Sequence, residues 1–348
     1  MKQCRDLARQ GYKVSLIVAD GLGNCQRDGV DIVDVGREQG RVARMLHSTA
    51  RVYQRARALD AAIYHLHDPE LIPAGLRLKR LGKTVVFDAH EDLPLQLLGK
   101  PYLYPAARRM LAHGAAVLER LACRRFDGIV AATPSIGAKF ARINRRTVEV
   151  ANYPVQAEFD AAQPWERKAR EVSYVGSIAA MRGVRELVAA CKLLRSGVRL
   201  NLAGPFEDQT LAAAMCAEPG WTRVNWLGQL DRAGISATLG RSLAGLVTLH
   251  PQPNYLDALP VKMFEYMAAG IPVIASTIPR WQAIVEEHDC GLCVDPRDPA
   301  AIAAAIDYLA GHPEVAARMG ANGRRAIGEH YNWGIESAKL LAFYEALR

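Results

Sequence analysis

The stretch NYLDALPVKMFEYMAAGIPVIAS, residues 254–276, decides how the rest of the chain is read. Pro260 suits the first turn of a helix, where its missing N–H costs nothing. The helix then runs through Met263, Phe264 and Met267 to Ala269, Gly270 ends it, and PVIAS follows as a buried strand. Asp257 therefore stands just before a helix start, and Glu265 lies inside the helix. The free N–H groups and partial positive charge of such a start suit a phosphate. Lys262 in the first turn opposes the helix dipole unless an anion is near. The plainer alternative pairs Lys262 with Glu265 three residues on.

The same alternation of strand and helix extends in both directions. EVSYVG, VRLNLAG, VNWLG, LAGLVTL and IPVIAS read as strands, with helices predicted over 184–195, 207–217, 261–269 and 299–310. Nearer the N-terminus, KVSLIVAD (13–20), AAIYHLHD (61–68), KTVVFDAH (83–90) and FDGIVAAT (126–133) are strand-like. Segments of helical period lie over 41–59, 69–81 and 105–125, and the polar stretch AEFDAAQPWERKAR (157–170) separates the two runs. Such alternation implies an α/β protein with parallel sheets covered on both faces. The expected organisation is two Rossmann-like domains facing across a cleft, 1–160 and 171–330, with a closing amphipathic helix over 334–348. In open parallel sheets ligands bind at the carboxyl ends of the strands. His67, Asp68, His90, Glu91, Gly176, Ser177, Gly204 and His250 all fall there.

Composition narrows the function classes. Half of the 348 residues are hydrophobic, enough for sizeable cores. Seven scattered cysteines make no disulfide framework. No apolar run approaches the ~18 residues of a membrane span, and MKQCRDLARQ lacks the apolar core of a secretory signal. A cytoplasmic protein is expected.

The formal charge of +8 is unevenly placed: residues 1–160 hold 25 Lys+Arg against 17 Asp+Glu, and residues 161–348 hold 19 of each. Arg37, Arg41, Arg44, Arg51 and Arg55 recur at near-helical spacing, opposite a face of Val42, Met45, Leu46, Thr49, Val52, Tyr53 and Ala56. Arg108, Arg109, Arg120, Arg124 and Arg125 form a second cluster. A solvated helix face and attraction to an anionic membrane surface are both open readings. No nucleic-acid motif or aromatic interleaving accompanies the arginines, so nucleic acid is not an expected partner.

At residues 254–276 the sequence resembles the donor-binding signature of family-4 retaining glycosyltransferases of the GT-B fold. There, two glutamates with seven residues between them precede an AMAAGIPVIAS-like stretch; here Asp257 and Glu265 have that spacing, with Asp in the first place. The LPVKMFEYMA form is similar to a bacterial subgroup associated with surface-polysaccharide synthesis. HLHDPEL (65–71), FDAHEDLP (87–94), NYP (152–154), YVGSIAAMRGVREL (174–187), LAG (202–204), GLCVDPRDP (291–299) and NGRRAIGEHYNW (322–333) extend the likeness.

The resemblance implies a nucleotide-diphosphate sugar as donor, a glycan or lipid-linked acceptor, and no metal or other cofactor. It implies that Glu265 accepts hydrogen bonds from the ribose diol, as a carboxylate can. It also implies that Asp257 faces the transferred hexose and that His90 contacts the donor sugar near the reacting carbon. Gly176, Ser177, Arg182, Ala258 and Leu259 would line the donor site. A departing diphosphate needs positive charge. The family supplies a basic pair, of which Arg182 fits the second position and Ser177 leaves the first uncharged. Lys262 could restore that charge from the helix side, an inference from its placement. His67 and Asp68 would organise a loop or meet acceptor. Two rival readings remain: a catalytically degenerate nucleotide-sugar-binding subunit, and a nucleotide-sugar epimerase.

Cys290 and Cys293 have metal-ligand spacing without a second pair, so core is expected. HLHD with FDAHED could be a metal cluster, which the resemblance speaks against. No Walker sequence and no complete GxGxxG are present. Finally, a Rossmann-like half begins with a strand that lies mid-sheet, yet this chain opens on KQCRDLARQ, of helical pattern, before KVSLIVAD. The first strand of the N-terminal domain is thus expected to be missing, the reading being short by about 10–25 residues at ~3.3 Å per strand residue.

Overall fold

The structure, a computed structural model, describes residues 1–38, 40, 47–99, 104–253 and 255–347. They form two compact units: Met1–Ala151 with Glu336–Arg348, and Asn152–Ile335. The first unit thus ends nearer 151 than the expected 160. The stretch 157–170, expected as a linker, belongs to the second unit, where Phe159 is buried and Gln163 and Lys168 bond to the Gly240 carbonyl.

The second unit carries one sheet of six parallel strands: β8 (Glu171–Val175), β9 (Arg199–Ala203), β10 (Val224–Gly228), β11 (Ala244–Val247), β12 (Val273–Ser276) and β13 (Gly291–Val294). Their order is β10-β9-β8-β11-β12-β13, so the chain reverses its direction of winding between β8 and β11. The crevice at that point, at the carboxyl ends of the strands, is where doubly wound sheets take their ligands. Near-continuous apolar runs explain the strands: β11 is Ala-Gly-Leu-Val and β12 Val-Ile-Ala-Ser, every residue buried. Helices Val184–Leu193 and Pro299–Gly311 cover one face with Leu187, Val188, Ile302 and Ile306.

The first unit holds two sheets. β1 (Val14–Val18) pairs parallel with β3 (Val30–Asp34), which pairs antiparallel with β2 (Cys25–Arg27). β4 (Ile63–Leu66), β5 (Thr84–Ala89), β6 (Gly128–Ala131) and β7 (Thr147–Glu149) run parallel in that order. Among the described residues no strand joins β1 to β4, the position at which the mid-sheet strand was expected. β2 and β7, three residues each, are too short to mark themselves in the sequence; β3 lies outside the strands read there although its Val-Asp-Ile-Val-Asp run is strand-like.

Helix bounds differ modestly from expectation. Residues 69–81 form a 3-10 turn, Pro69–Leu71, followed by the helix Ile72–Arg80. The 105–125 segment is helical over Pro105–Cys123. Residues 47–59 of the predicted 41–59 helix are described, with the α-helix over Thr49–Leu59; Arg41, Val42, Arg44, Met45 and Leu46 lie outside the described residues. The closing helix, Trp333–Glu345, is less independent than its separate placement in sequence suggests. From Glu336 onward it belongs to the first unit. The Glu336 carboxylate accepts from the Ala151 N–H at 2.7 Å, Ser337 donates to Asp6 at 2.8 Å, and Phe343 packs on Gly128. No described helix is long and apolar enough to cross a membrane.

Candidate active site

In the second unit the polar residues gather beyond β8 and β11. β8 ends at Val175, and Gly176 follows with φ +129°, a conformation that favours glycine. A methyl built on Gly176 would stand 3.2 Å from Lys262 Nζ and 3.7 Å from Arg182 Nη1, so both cations lie against this one backbone position. Gly204, after β9, has φ +143°, and a side chain there would collide with the Gly176 carbonyl. The strand ends are thus packed backbone to backbone, leaving the space above them to the two cations. Ser177 keeps the first position of the expected basic pair uncharged; its carbonyl accepts from Tyr174 at 2.9 Å.

Lys262 is the unusual group here. The helix that carries it is Val261–Ala268, with Pro260 as its N-cap rather than inside the first turn. The ammonium is buried, lies 3.8 Å from the centre of the Tyr174 ring, and has no hydrogen-bond partner. Burial, then the charge of Arg182, pull its pKa down to about 7 against the opposing pull of Glu265. The alternative Lys262–Glu265 pair is not formed. Instead Glu265, 8% exposed, accepts from Arg232 Nη1 at 2.6 Å. Arg232 also donates to Glu158 at 2.6 and 3.1 Å and lies over the Phe159 ring. Both glutamates and the phenylalanine therefore hold one guanidinium, and Glu265 Oε2 is left available.

Asp257 is exposed in the loop before this helix, where Ala258 and Leu259 are half-buried. The Ala258 carbonyl accepts from Trp281 Nε1 at 2.8 Å, which ties the loop to the helix Pro279–Glu287. His250 is turned to Glu186, 3.1 Å away. Cys290 is buried and Cys293 half-buried, burial pushing their pKa values up to about 12 and 11, so they are packing thiols.

In the first unit the carboxyl ends of β4 and β5 bring three histidines around one carboxylate. Asp88, 1% exposed, sits in β5; His65 is in β4, and His67 and His90 follow the two strands. His65 Nε2 and His67 Nδ1 are each 3.4 Å from Asp88 Oδ2, and His90 Nε2 is 3.6 Å from Asp88 Oδ1. His90 Nε2 and His67 Nδ1 share a hydrogen bond of 3.1 Å. Burial would raise the Asp88 pKa, but the surrounding imidazoles outweigh it and hold the carboxyl at about 2. Burial, with the neighbouring imidazoles, pushes His67 down to about 3, so its ring is neutral. Asp68 and Glu91 are exposed outside this cluster.

The chain matches the family models described as "Glycosyl transferase 4-like domain" over residues 1–155 and "Glycosyl transferases group 1" over residues 155–326. It is 27% identical over 315 residues to a glycogen synthase of Mycobacterium tuberculosis, covering 80% of this chain and 74% of that one. Its fold is similar to sucrose-phosphate synthase from Thermosynechococcus elongatus, with TM-score 0.79 and 19% identity over 99% of this chain and 92% of the other. HepE of Anabaena, solved with UDP and glucose, aligns with TM-score 0.74 and 13% identity over 99% and 95%. The fold and its relatives define an α/β enzyme of the GT-B class. The chain belongs to the glycosyltransferases of group 1, with a family-4-like N-terminal half.

Sequence reasoning missed Arg232 and Tyr174, and it raised HLHD with FDAHED only as a metal cluster to be set aside, without singling out Asp88 as its centre. Arg232 is 33 residues from Glu265 and 74 from Glu158, and no local pattern signals such a pairing. Asp88 was quoted within FDAHEDLP, but nothing in its spacing shows that His65 and His67 from the neighbouring strand turn toward it.

Proposed function

We propose that this glycosyltransferase moves a sugar from a nucleotide-diphosphate sugar to a glycan or lipid-linked acceptor, with retention of anomeric configuration, in surface-polysaccharide assembly. The observation that supports the donor class best is Lys262. A buried ammonium with no partner, beside Arg182 and above two glycine-lined strand ends, is costly unless an anion joins it. A diphosphate meets that need, and HepE, of the same fold, is solved with UDP.

In this reading the pyrophosphate lies against Gly176 and Ser177, with Arg182 and Lys262 taking up charge as the diphosphate departs. Ala258 and Leu259 line the same donor pocket. Glu265, braced by Arg232, offers its remaining oxygen to the ribose hydroxyls. Asp257 faces the transferred sugar and His90 the reacting carbon. No carboxylate is assigned as nucleophile. The acceptor attacks on the face from which the diphosphate leaves, and the leaving phosphate oxygen takes the acceptor proton. Catalysis then rests on positioning and charge stabilisation, and needs no metal.

The working location proposed is the cytoplasmic face of a membrane. The helix Pro105–Cys123 supports this: Met110, Leu111, Val117, Leu118 and Leu121 are exposed on it, beside exposed Arg109, Arg120, Arg124 and Arg125. An apolar ridge bordered by arginines fits an anionic lipid surface. Incubation with a panel of nucleotide-diphosphate sugars and acceptors, followed by anomeric analysis of the product, tests the activity. Retention supports it. Inversion contradicts the mechanism, interconversion of donor alone indicates an epimerase, and binding without turnover a degenerate subunit.

A further inference from the structure

We propose that His65, His67 and Asp88 form a binding site for one divalent transition-metal ion of the zinc type, and that the ion inhibits transfer by engaging the adjacent His90. Two imidazole nitrogens and one carboxylate oxygen, with a fourth position open, suit zinc, cobalt or nickel rather than magnesium or calcium, which prefer oxygen. A tetrahedral ion with bonds of ~2.0–2.1 Å holds its donors about 3.3–3.4 Å apart. The His65 Nε2 and His67 Nδ1 separations from Asp88 Oδ2 are both 3.4 Å, the three ligands lie within 4.8 Å of one another, and His90 Nε2, 3.1 Å from His67 Nδ1, borders the fourth position.

Two atoms of the cluster are buried with no hydrogen bond: Asp88 Oδ1 and His65 Nε2. An acceptor-only oxygen orphaned inside a protein is expensive. A cation serves both atoms at once. The outer contacts are those of a ligating shell as well. Tyr344 Oη meets His65 Nδ1 at 2.7 Å, which leaves Nε2 facing inward, and Gln3 donates to Asp88 Oδ2 at 2.9 Å. The rings stand nearly parallel, His65 and His67 with centroids 4.6 Å apart and His67 and His90 at 5.4 Å. The inhibition alone rests on the role proposed for His90; the binding rests on geometry.

The test uses the full chain without a histidine tag, stripped by chelator and titrated with zinc in a calorimeter. One equivalent bound at micromolar strength or tighter is expected, and cobalt should give the intense visible absorption of a four-coordinate ion. His65→Gln should weaken binding by roughly 10–100-fold, the scale of lost metal-site contacts, with the metal-free melting temperature retained. Tyr344→Phe, which keeps the ring, should weaken it about tenfold and serves if His65→Gln does not fold. Binding only at millimolar zinc, a six-coordinate cobalt spectrum, or equal affinity in wild type and both variants would overturn the site. Zinc should also inhibit transfer at the concentration at which it binds. Tight binding that depends on His65 with turnover unaffected keeps the site and removes His90 from the reaction.

Discussion

Glu265 is held by Arg232, thirty-three residues upstream, through a 2.6 Å charge-assisted hydrogen bond, and not by Lys262 on its own helix. This pairing engages Oε1 of Glu265, and Lys262 keeps only the through-space pull of that carboxylate, with no hydrogen bond of its own.

Glu265→Ala should weaken nucleotide binding by roughly 1–3 kcal/mol, the scale of lost hydrogen bonds to a charged group, and leave the fold intact. Calorimetry with the nucleoside diphosphate measures this. Unchanged affinity would remove the carboxylate from the ribose.

Arg232→Gln should raise the donor KM while leaving kcat near its original value, because Glu265 loses orientation and no reacting atom loses a partner. The guanidinium is about half exposed, so the loss of stability should be only about 1 kcal/mol. A fall in kcat with KM unchanged would contradict a positioning role.

Lys262 predicts a pH dependence of definite sign. With a pKa of about 7 in the folded protein and 10.5 as its ordinary value, the unfolded chain holds a proton between those limits that the folded one has lost. Stability of the unliganded protein should therefore rise with pH over this window. A bound diphosphate restores the charge, so binding takes up a proton and donor affinity should fall as pH rises above about 7. Lys262→Met should flatten both trends. Calorimetry in buffers of different ionisation enthalpy reads the proton uptake directly.

Arg182→Ala should lower kcat by about 100-fold or more if the side chain stabilises the departing phosphate, with a smaller effect on donor affinity. Steady-state kinetics separates the two. Loss of binding with turnover intact would assign Arg182 to the ground state only.

The Pro105–Cys123 helix should carry the chain onto anionic vesicles. Binding should weaken with salt, as the Debye length shortens to ~8 Å near physiological strength. Leu118→Glu, on the exposed ridge, should reduce co-sedimentation without lowering the melting temperature. Sedimentation indifferent to lipid charge and salt would remove the membrane from the account.

Sequence alone established the alternating α/β architecture and the segments that carry Gly176, Arg182, Lys262 and Glu265. It could do so because these depend on local regularities. Buried parallel strands need continuous apolar runs such as VIAS, and helix ends need residues such as Pro260 and Gly270. Only the tertiary structure decided which charges meet. Whether Lys262 pairs with Glu265 depends on where Arg232 arrives from another helix. Whether His65 and His67 touch Asp88 depends on the pairing of β4 with β5, where His65 stands opposite Val86. The closing helix likewise joins the first unit through Ser337 and Asp6, 331 residues apart. Periodicity records how each segment meets water and core. It holds no record of long-range partners, because charge and hydrogen bonding act across space between groups that the chain sequence leaves far apart.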